Sequence, residues 1–252
     1  MKHLKHLALL GLLSTLAACT QSPTPAVPDG SGGVGGVESY IVKGQVTDTQ
    51  GNPLAGVEVF ADNTALYDTN LFGISDANGF YRIDLSGIVP SSWQVGAYLE
   101  REYNGYTYDF SLQPDNDAVF AGVDGAIRNL QWRLSGETPE GGYYGGLVYF
   151  YIGYSNLAID TQYIELTFVP DGPLVDGSAG ESFTTFSADG LSIPDVPIGR
   201  YTVTARYVPP GEAPSPLLIR VRDVGEYQGS TTADFIPDDL YGVLMELEVS
   251  RP

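Results

Sequence analysis

The sequence predicts an all-β protein made of two tandem antiparallel β-sandwiches that follow a disordered tether. Short runs of residues alternate between apolar and polar, as in 41–47 and 54–60, which is the period of a strand with one buried face. Reversals with explicit turn chemistry separate such runs, among them Gly51-Asn52-Pro53, Asn78-Gly79 and Asn104-Gly105. No long stretch after the N-terminal leader has the pattern of a helix. These observations together favour a fold of hairpins and sheets.

Residues 1–18 have the pattern of a signal peptide. Two lysines provide a positive n-region, and residues 7–16 form an apolar segment that is too short to span a membrane comfortably. The sequence Leu-Ala-Ala-Cys at 16–19 resembles the lipobox of bacterial lipoproteins. That resemblance implies cleavage before Cys19, attachment of diacylglycerol to its thiol and acylation of the new N-terminus. The alternative is an ordinary secretory leader with an incidental Cys at the cleavage site.

The leader predicts a protein of the bacterial cell envelope that is anchored in a membrane through its N-terminal lipid. Several acyl chains make the anchoring stable, since each buried methylene group contributes about 0.8 kcal/mol. Thr20 follows the Cys where an Asp would favour retention at the inner membrane, so we expect the outer membrane or the cell surface. Residues 19–37 are rich first in Pro and then in Gly, which predicts a disordered tether between lipid and folded body.

The charge of the chain argues against nucleic acid as a partner. The whole sequence has 12 Lys and Arg against 31 Asp and Glu, a net charge of −19. Removal of the leader takes away two lysines, which leaves ten basic residues against 31 acidic ones and a net charge of −21. Such a surface repels phosphate backbones. The expected partners are the membrane, through the lipid, and a glycan or another envelope protein.

Residues 39–134 are predicted to form the first sandwich. The pattern of alternating strands and turns is clearest in three segments, VKGQVTD at 42–48, GNPLAGVEV at 51–59 and SDANGFYRI at 75–83. These segments resemble the carboxypeptidase-regulatory-like module, a transthyretin-like (prealbumin-like) β-sandwich. The resemblance implies the fold and much less about function, because the module is an accessory domain of zinc carboxypeptidases.

A hairpin in this unit carries the candidate ligand-binding residues. Asn104-Gly105 joins two alternating runs and fixes the register, so that Tyr103 pairs with Tyr106 and Arg101 with Tyr108. A sugar ring stacks on exposed aromatic side chains with polar groups nearby, and these four side chains share one face of the hairpin. The alternative is that this face is the inner side of a sheet. Further aromatic candidates are Tyr143, Tyr144 and Tyr154.

A second β-sandwich is predicted over residues 143–252. Residues 135–142 combine turn formers and charge without an apolar run, which predicts a boundary before it. Within the second unit, the segment VPIGRYTVTA at 196–205 resembles a strand of the same transthyretin-like superfamily. The resemblance implies that the second unit is a diverged relative of the first.

The residue inventory argues against most classes of enzyme. His3 and His6 lie in the leader, and the only Cys is the predicted lipidation site Cys19. A chain without His or a free thiol has no Ser-His-Asp triad, no Cys-His dyad and no His-ligated zinc. We therefore expect neither enzyme activity nor a cofactor. A carboxylate-based hydrolase is an alternative that needs two acids facing each other across a cleft.

Two further hypotheses concern calcium and a covalent cross-link. Short clusters of carboxylates offer the hard oxygen ligands that Ca²⁺ prefers, although neither cluster continues into a complete calcium loop, and solvated turns are the alternative. The candidates are Asp115, Asp117, Asp238 and Asp239. Lys43 is the only Lys after the leader. Its place in the first strand resembles that of a Lys in Cna B-type adhesin domains, which implies an isopeptide bond to Asn129.

As a whole, the sequence predicts a lipid-anchored envelope protein with a non-catalytic binding or scaffold role. Carbohydrate is the ligand class that the aromatic residues favour. The alternative is a purely structural or adhesion component of an envelope assembly.

Overall fold

The computed structural model describes residues 33–88, 92–153, 159–238 and 240–252. Within those ranges the chain forms β-strands, joined by turns and by the short 3-10 helical segments Gly122–Asp124 and Thr161–Tyr163. The predicted all-β class is confirmed. Among the described residues, no helix is long and apolar enough to span a membrane. The leader, Cys19 and most of the predicted tether lie outside the described residues.

The first unit is a sandwich of two sheets. Its strands are β1 (Ile41–Thr47), β2 (Glu58–Asn63), β3 (Asn70–Ile74), β4 (Phe80–Asp84), β5 (Ser92–Tyr103), β6 (Tyr106–Leu112), β7 (Phe120–Ala121), β8 (Ala126–Ile127) and β9 (Leu130–Gln131). One sheet has the order β4-β1-β8, with β9 also on β1, and the other has the order β3-β2-β5-β6, with β7 on β5. Alternate residues of both sheets, such as Val42, Val59 and Trp93, are buried between them. This burial follows the period-two pattern of the sequence.

The turn between β3 and β4 depends on two of its residues, Asp76 and Gly79. The Asp76 carboxylate accepts hydrogen bonds from the amides of Asn78 (2.8 Å) and Phe80 (2.9 Å). Gly79 has a positive φ of 74°, and a Cβ there would lie 2.3 Å from the Val46 carbonyl oxygen. A side chain at this position would therefore clash with β1, and only Gly adopts this backbone without strain.

The second unit repeats the strand arrangement of the first. Its strands are β10 (Gly146–Ile152), β11 (Ile164–Pro170), β12 (Phe183–Phe186), β13 (Ser192–Val196), β14 (Tyr201–Tyr207), β15 (Ser215–Val221), β16 (Thr231–Ala233), β17 (Ile236–Asp238) and β18 (Gly242–Ser250). The order β3-β2-β5-β6 recurs as β12-β11-β14-β15, and the order β4-β1-β8 recurs as β13-β10-β18. The short strand β7 on β5 likewise has a counterpart in β16 on β14.

Not all pairings are antiparallel, which corrects the predicted sheet type. In the first unit β1 runs parallel to β8 and β9, with Val42 opposite Ala126 and Val46 opposite Leu130. In the second unit β10 runs parallel to β18 from Leu147 opposite Leu244 to Ile152 opposite Val249. Parallel neighbours require a long connection between them. Here the whole unit is that connection, because its first strand pairs with its last. Alternation along one strand does not reveal the direction of its neighbour, so the parallel pairing could not be predicted from the sequence.

The two sheets of the second unit are joined through β15. Its first half pairs with β14, with Leu217 opposite Ala205, and its second half pairs with β18, with Ile219 opposite Val249. The nine strands therefore form a single hydrogen-bonded sheet that folds over on itself. Buried apolar residues of both units belong to one contiguous core cluster.

Candidate binding cleft at the junction of the two units

The hairpin predicted to bind ligand has the predicted register but a different role. Tyr103 lies opposite Tyr106, and Arg101 lies opposite Tyr108. The Tyr103 hydroxyl donates a hydrogen bond to the Pro173 carbonyl oxygen (2.7 Å) and accepts one from the Arg200 amide (3.0 Å). Both partners belong to the second unit. The tip of the β5–β6 hairpin is therefore a docking element between the units.

Tyr108 is part of the core, which corrects its prediction as a ligand-binding residue. Its side chain is 0% exposed, and its hydroxyl donates a 2.7 Å hydrogen bond to the Phe235 carbonyl oxygen in the second unit. Burial raises the pKa of Tyr108, and the nearby Asp234 carboxylate raises it further. A ligand in solvent cannot reach this ring. The alternating pattern placed the residue on the right face, but that face is the inner one.

The other two hairpin candidates, Arg101 and Tyr106, lie in different environments. The Arg101 guanidinium lies over the ring of buried Trp132, 5.3 Å from its centroid, and burial lowers its pKa. Tyr106 is exposed at the hairpin tip. The four predicted residues thus do not form one accessible aromatic face.

Polar contacts at the rim reinforce the junction. Asn104 donates a 2.8 Å hydrogen bond to the Asp234 carboxylate, which lies 3.8 Å from the Arg200 guanidinium. On another part of the junction, the Thr49 hydroxyl donates to the Asp176 carboxylate. Each of these contacts contributes little by itself, but together with Tyr103 and Tyr108 they fix the orientation of one unit against the other.

A cleft of about 350 Å³ lies where the two units meet. The first unit contributes β6 and Arg133 to its walls. The rest comes from residues 135–145, the joining segment between the units, from the turn before β18 and from residues of β10, β13 and β18. The aromatic and polar side chains that line it include Asp109, Ser111, Arg133, Tyr143, Tyr144 and Tyr241. Its size and its mixture of aromatic and polar groups are those of a small-molecule site at a domain interface.

The joining segment is an ordered hairpin that presents Tyr143 to the cleft. Glu137 and Tyr143 form an isolated antiparallel bridge, and the Tyr144 amide donates to the Gly136 carbonyl oxygen (3.0 Å). The Tyr143 side chain is 47% exposed, whereas the Tyr144 ring lies beneath the Arg133 guanidinium, 5.5 Å from the ring centroid. Tyr154, the third aromatic candidate of this region, lies outside the described residues.

The second exposed ring of the cleft, Tyr241, was not predicted from the sequence. It lies in the turn between β17 and β18, and its side chain is 59% exposed. The Asp238 carboxylate accepts hydrogen bonds from the amides of Leu240 (2.9 Å) and Tyr241 (2.8 Å), which fixes this turn. The Asp-rich run before Gly242 was a signal for a turn, but only the folded structure brings that turn to the joining segment.

Asp195 holds the joining segment against the second unit. Its two carboxylate oxygens accept hydrogen bonds from the Gly136 amide at 2.8 and 2.9 Å, and one oxygen also accepts from the Gly145 amide at 3.2 Å. Asp195 itself has a positive φ of 61°, a backbone conformation that Asp tolerates better than most residues. Its carboxylate is therefore occupied by the backbone, which makes it unsuited to a catalytic pair with Asp109.

The arrangement of the cleft suits binding. Two exposed tyrosine rings offer flat apolar faces with a partial negative charge, on which weakly positive C–H groups of a ligand can stack. Asp109 and Ser111 alternate outward along β6 and offer a carboxylate and a hydroxyl to polar groups of the same ligand. Among the described residues, no group of three or more His, Cys, Asp and Glu is arranged to hold a metal ion.

Two of the carboxylates predicted as calcium ligands, those of Asp115 and Asp238, have structural partners. The Asp115 carboxylate accepts from the Asn129 amide (3.1 Å) and from its side-chain nitrogen (2.9 Å), and Asp238 holds the turn described above. The backbone carbonyl of Asp117 accepts a 3.2 Å hydrogen bond from the Gln94 side chain. Asp239 lies outside the described residues.

Lys43 and Asn129 do not have the partners that an isopeptide bond requires. The Lys43 ammonium donates to the Glu38 carboxylate, which also binds Arg82 at 3.0 Å. Asn129 accepts from the Gln45 amide at 3.1 Å and donates to Asp115. The two side chains thus point to separate polar networks, which corrects the predicted pairing.

Comparisons with known proteins give no family. No protein-family model and no curated protein sequence matches the chain. The chain is similar in structure to the TIE protein of Bacillus anthracis at 11% identity and a TM-score of 0.35, covering 84% of this chain and 34% of that one. It is similar to a streptococcal ancillary pilin at 13% identity and a TM-score of 0.24, covering 85% of this chain and 62% of that one.

A further similar structure is the shaft pilin SpaA of Lactobacillus rhamnosus GG, solved as a double mutant. The identity is 11% and the TM-score 0.25, with 85% of this chain and 98% of that one covered. The chain thus spans less than two thirds of the first two proteins, the TIE protein and the ancillary pilin. Similarities at these TM-scores carry no argument about function.

Proposed function

We propose that the protein is a lipid-anchored component of the bacterial cell envelope whose folded body binds a neutral glycan without catalysis. The lipid is attached at Cys19, and the tether of residues 19–37 holds the body away from the outer membrane or cell surface. The proposed kinship of the two units, both of the transthyretin-like type, is supported by the strand order that they share.

The observation that supports glycan binding is the presence of two exposed tyrosines, Tyr143 and Tyr241, in one cleft. Exposed aromatic rings in a concave site lose little conformational freedom when a ligand stacks on them, because each has only two side-chain torsions. The hydroxyl groups of a sugar need donors and acceptors at the edges of the rings, and Asp109, Ser111 and Arg133 supply both. Pyranose rings combine the apolar face and the polar rim that this set of residues fits.

The charge of the protein supports a neutral glycan. The chain without its leader carries ten basic and 31 acidic residues. An anionic polysaccharide would be repelled by this surface at ordinary ionic strength, and repulsion lowers the association rate as well as the affinity. We therefore expect uronic-acid and phosphate-containing glycans to bind less well than uncharged ones.

A glycan array tests this proposal. The chain is produced without residues 1–18 and with Cys19→Ser, so that it is soluble without lipid. We expect binding to uncharged glycans that is lost in Tyr143→Ala and in Tyr241→Ala and kept in Tyr106→Ala. Tyr106 is the matched control because it is an exposed tyrosine that does not line the cleft. Absence of binding to every glycan, or equal binding by all three variants, would contradict the proposal.

A purely structural or adhesion component is the second candidate. The hydrogen bonds of Tyr103 and Tyr108 across the junction favour it, because they join two sandwiches into one body that could transmit force or hold a fixed spacing. In that case envelope assembly would depend on the junction residues and not on Tyr143 or Tyr241.

A further inference from the structure

A second aromatic surface lies on the outer face of the first unit. The rings of Phe60 and Tyr98 stack with their centroids 5.1 Å apart and their planes at 23°. Tyr98 is 60% exposed, and Phe72 is exposed next to Phe60 on the neighbouring strand. We call Phe60, Tyr98 and Phe72 the outer platform.

Gly96 allows this platform to lie flat. It is opposite Phe60 in the register of β2 and β5, and a Cβ at Gly96 would lie 2.5 Å from the Phe60 ring. Any other residue would push the ring away from the sheet. The absence of a side chain at this one position therefore lets Phe60 cover the strand and support Tyr98.

Polar groups surround the platform. A groove of about 220 Å³ above it is lined by Asp62, Gln94 and Glu140 as well as by Phe60 and Tyr98. The Gln94 side chain is oriented by its hydrogen bond to the Asp117 carbonyl oxygen. The groove thus has the same combination as the junction cleft, a flat aromatic face with hydrogen-bonding groups at its edge.

The groove and the cleft adjoin each other. Ser111 and Gln113, at the end of β6, line both of them. Glu140 of the groove and Tyr143 of the cleft belong to the same joining hairpin. A ligand that leaves the cleft past Ser111 therefore comes next to the groove.

We infer that the cleft and the groove form one extended site, in which the outer platform binds a sugar unit of the same glycan chain that Tyr143 and Tyr241 bind. This inference rests on the proposed glycan binding and adds that the ligand is a chain of several sugars. The occupant of the outer platform is thus the continuation of the ligand in the cleft.

The experiment is a calorimetric titration of the unlipidated Cys19→Ser chain with two neutral series, the β-1,4-linked oligomers of glucose and of N-acetylglucosamine. Each series includes the di-, tetra- and hexasaccharide. We expect affinity to rise with chain length. Tyr98→Ala should weaken hexasaccharide binding about two- to tenfold, the range of one aromatic stacking contact, and leave disaccharide binding unchanged. Tyr143→Ala should weaken both.

The outcomes separate the two proposals. Equal affinity for short and long oligomers, with no effect of Tyr98→Ala, would overturn the extended site and leave glycan binding in the cleft intact. Loss of hexasaccharide binding in Tyr98→Ala but not in Tyr143→Ala would also overturn it, because the platform would then be a separate site. Failure of both series to bind would overturn the extended site, and the glycan array decides separately whether glycan binding in the cleft is kept. Tyr67→Ala is the control, since Tyr67 is 100% exposed and lies outside both surfaces.

Discussion

The hydroxyl of Tyr108 donates a 2.7 Å hydrogen bond to the carbonyl oxygen of Phe235, and this bond joins the core of the first unit to the backbone of the second. Phe235 is itself fully buried, with its ring edge-on to Tyr201 at a centroid distance of 6.4 Å. The segment that follows Phe235 forms β17 and the turn of Tyr241. The position of one cleft residue thus depends on a contact that the first unit makes.

Replacement of Tyr108 by Phe tests the importance of this contact. The variant keeps the ring and removes only the hydroxyl, which leaves a buried carbonyl without its partner. We expect the free energy of unfolding to fall by about 1–3 kcal/mol, measured by urea denaturation. Tyr106→Phe is the control, because Tyr106 is exposed and should show no change. An unchanged stability in Tyr108→Phe would mean that the junction bond is not formed.

Asp195 gives a second prediction, on the joining hairpin. Asp195→Ala removes the acceptor of the Gly136 and Gly145 amides and places Ala at a positive φ, whereas Asp195→Asn keeps an acceptor and tolerates that φ. We expect both amides to exchange with deuterium faster in Asp195→Ala, and much less so in Asp195→Asn. Equal exchange in both variants and the wild type would show that the hairpin is held by other contacts.

The acid dependence of stability is predicted from Asp189, in the turn between β12 and β13. The Ser187 hydroxyl (2.6 Å) and the amides of Leu191 and Ser192 (2.8 Å each) donate to its carboxylate and lower its pKa far below the usual value. Since the folded pKa lies below the unfolded value of about 3.9, the charged form stabilises the fold. That stabilisation is present above pH 4 or so and is lost as the pH falls further.

Urea denaturation of the wild type and of Asp189→Asn at several pH values measures this effect. The wild type should be more stable than the variant at about pH 6, and the difference should shrink steadily below about pH 4. A difference that stays constant down to about pH 2 would contradict the prediction, because the Asp189 charge would then not contribute.

The lipid anchor gives a prediction that is independent of the folded body. Cys19→Ser removes the thiol to which diacylglycerol is proposed to attach. We expect the wild type to incorporate a labelled fatty acid and to sediment with membranes, and the variant to do neither. A variant that still sediments with membranes in high salt would show that the anchor lies elsewhere.

The sequence predicted much of the local structure because local rules decide it. The Asn104-Gly105 turn determined the register of β5 and β6, and Asp76 and Gly79 occupy the turn that their chemistry requires. Alternation placed Tyr108 on the same face as Leu99 and Phe110. It could not show what packs against this face. Phe110 packs on Trp132 of the first unit, whereas the Tyr108 hydroxyl meets Phe235 of the second unit, 127 residues further along the chain.

The same reason explains what the sequence missed at the site. Tyr241 and Tyr143 come together only because the turn before β18 meets the joining hairpin. The parallel pairing of β10 with β18, which places this turn, connects the two ends of the second unit. Contacts of such long range leave no periodic signal in the residues that make them.

Hydrogen–deuterium exchange in the presence of a bound glycan tests the central claim, that the junction cleft is the ligand site. The neutral oligosaccharide with the strongest array signal is added at saturation to the unlipidated chain. The proposal predicts protection of the joining hairpin at residues 138–146 and of the turn at 240–243, with no change at the exposed hairpin tip around Tyr106. Protection confined to the tip, or to a surface of the second unit away from the cleft, would contradict it.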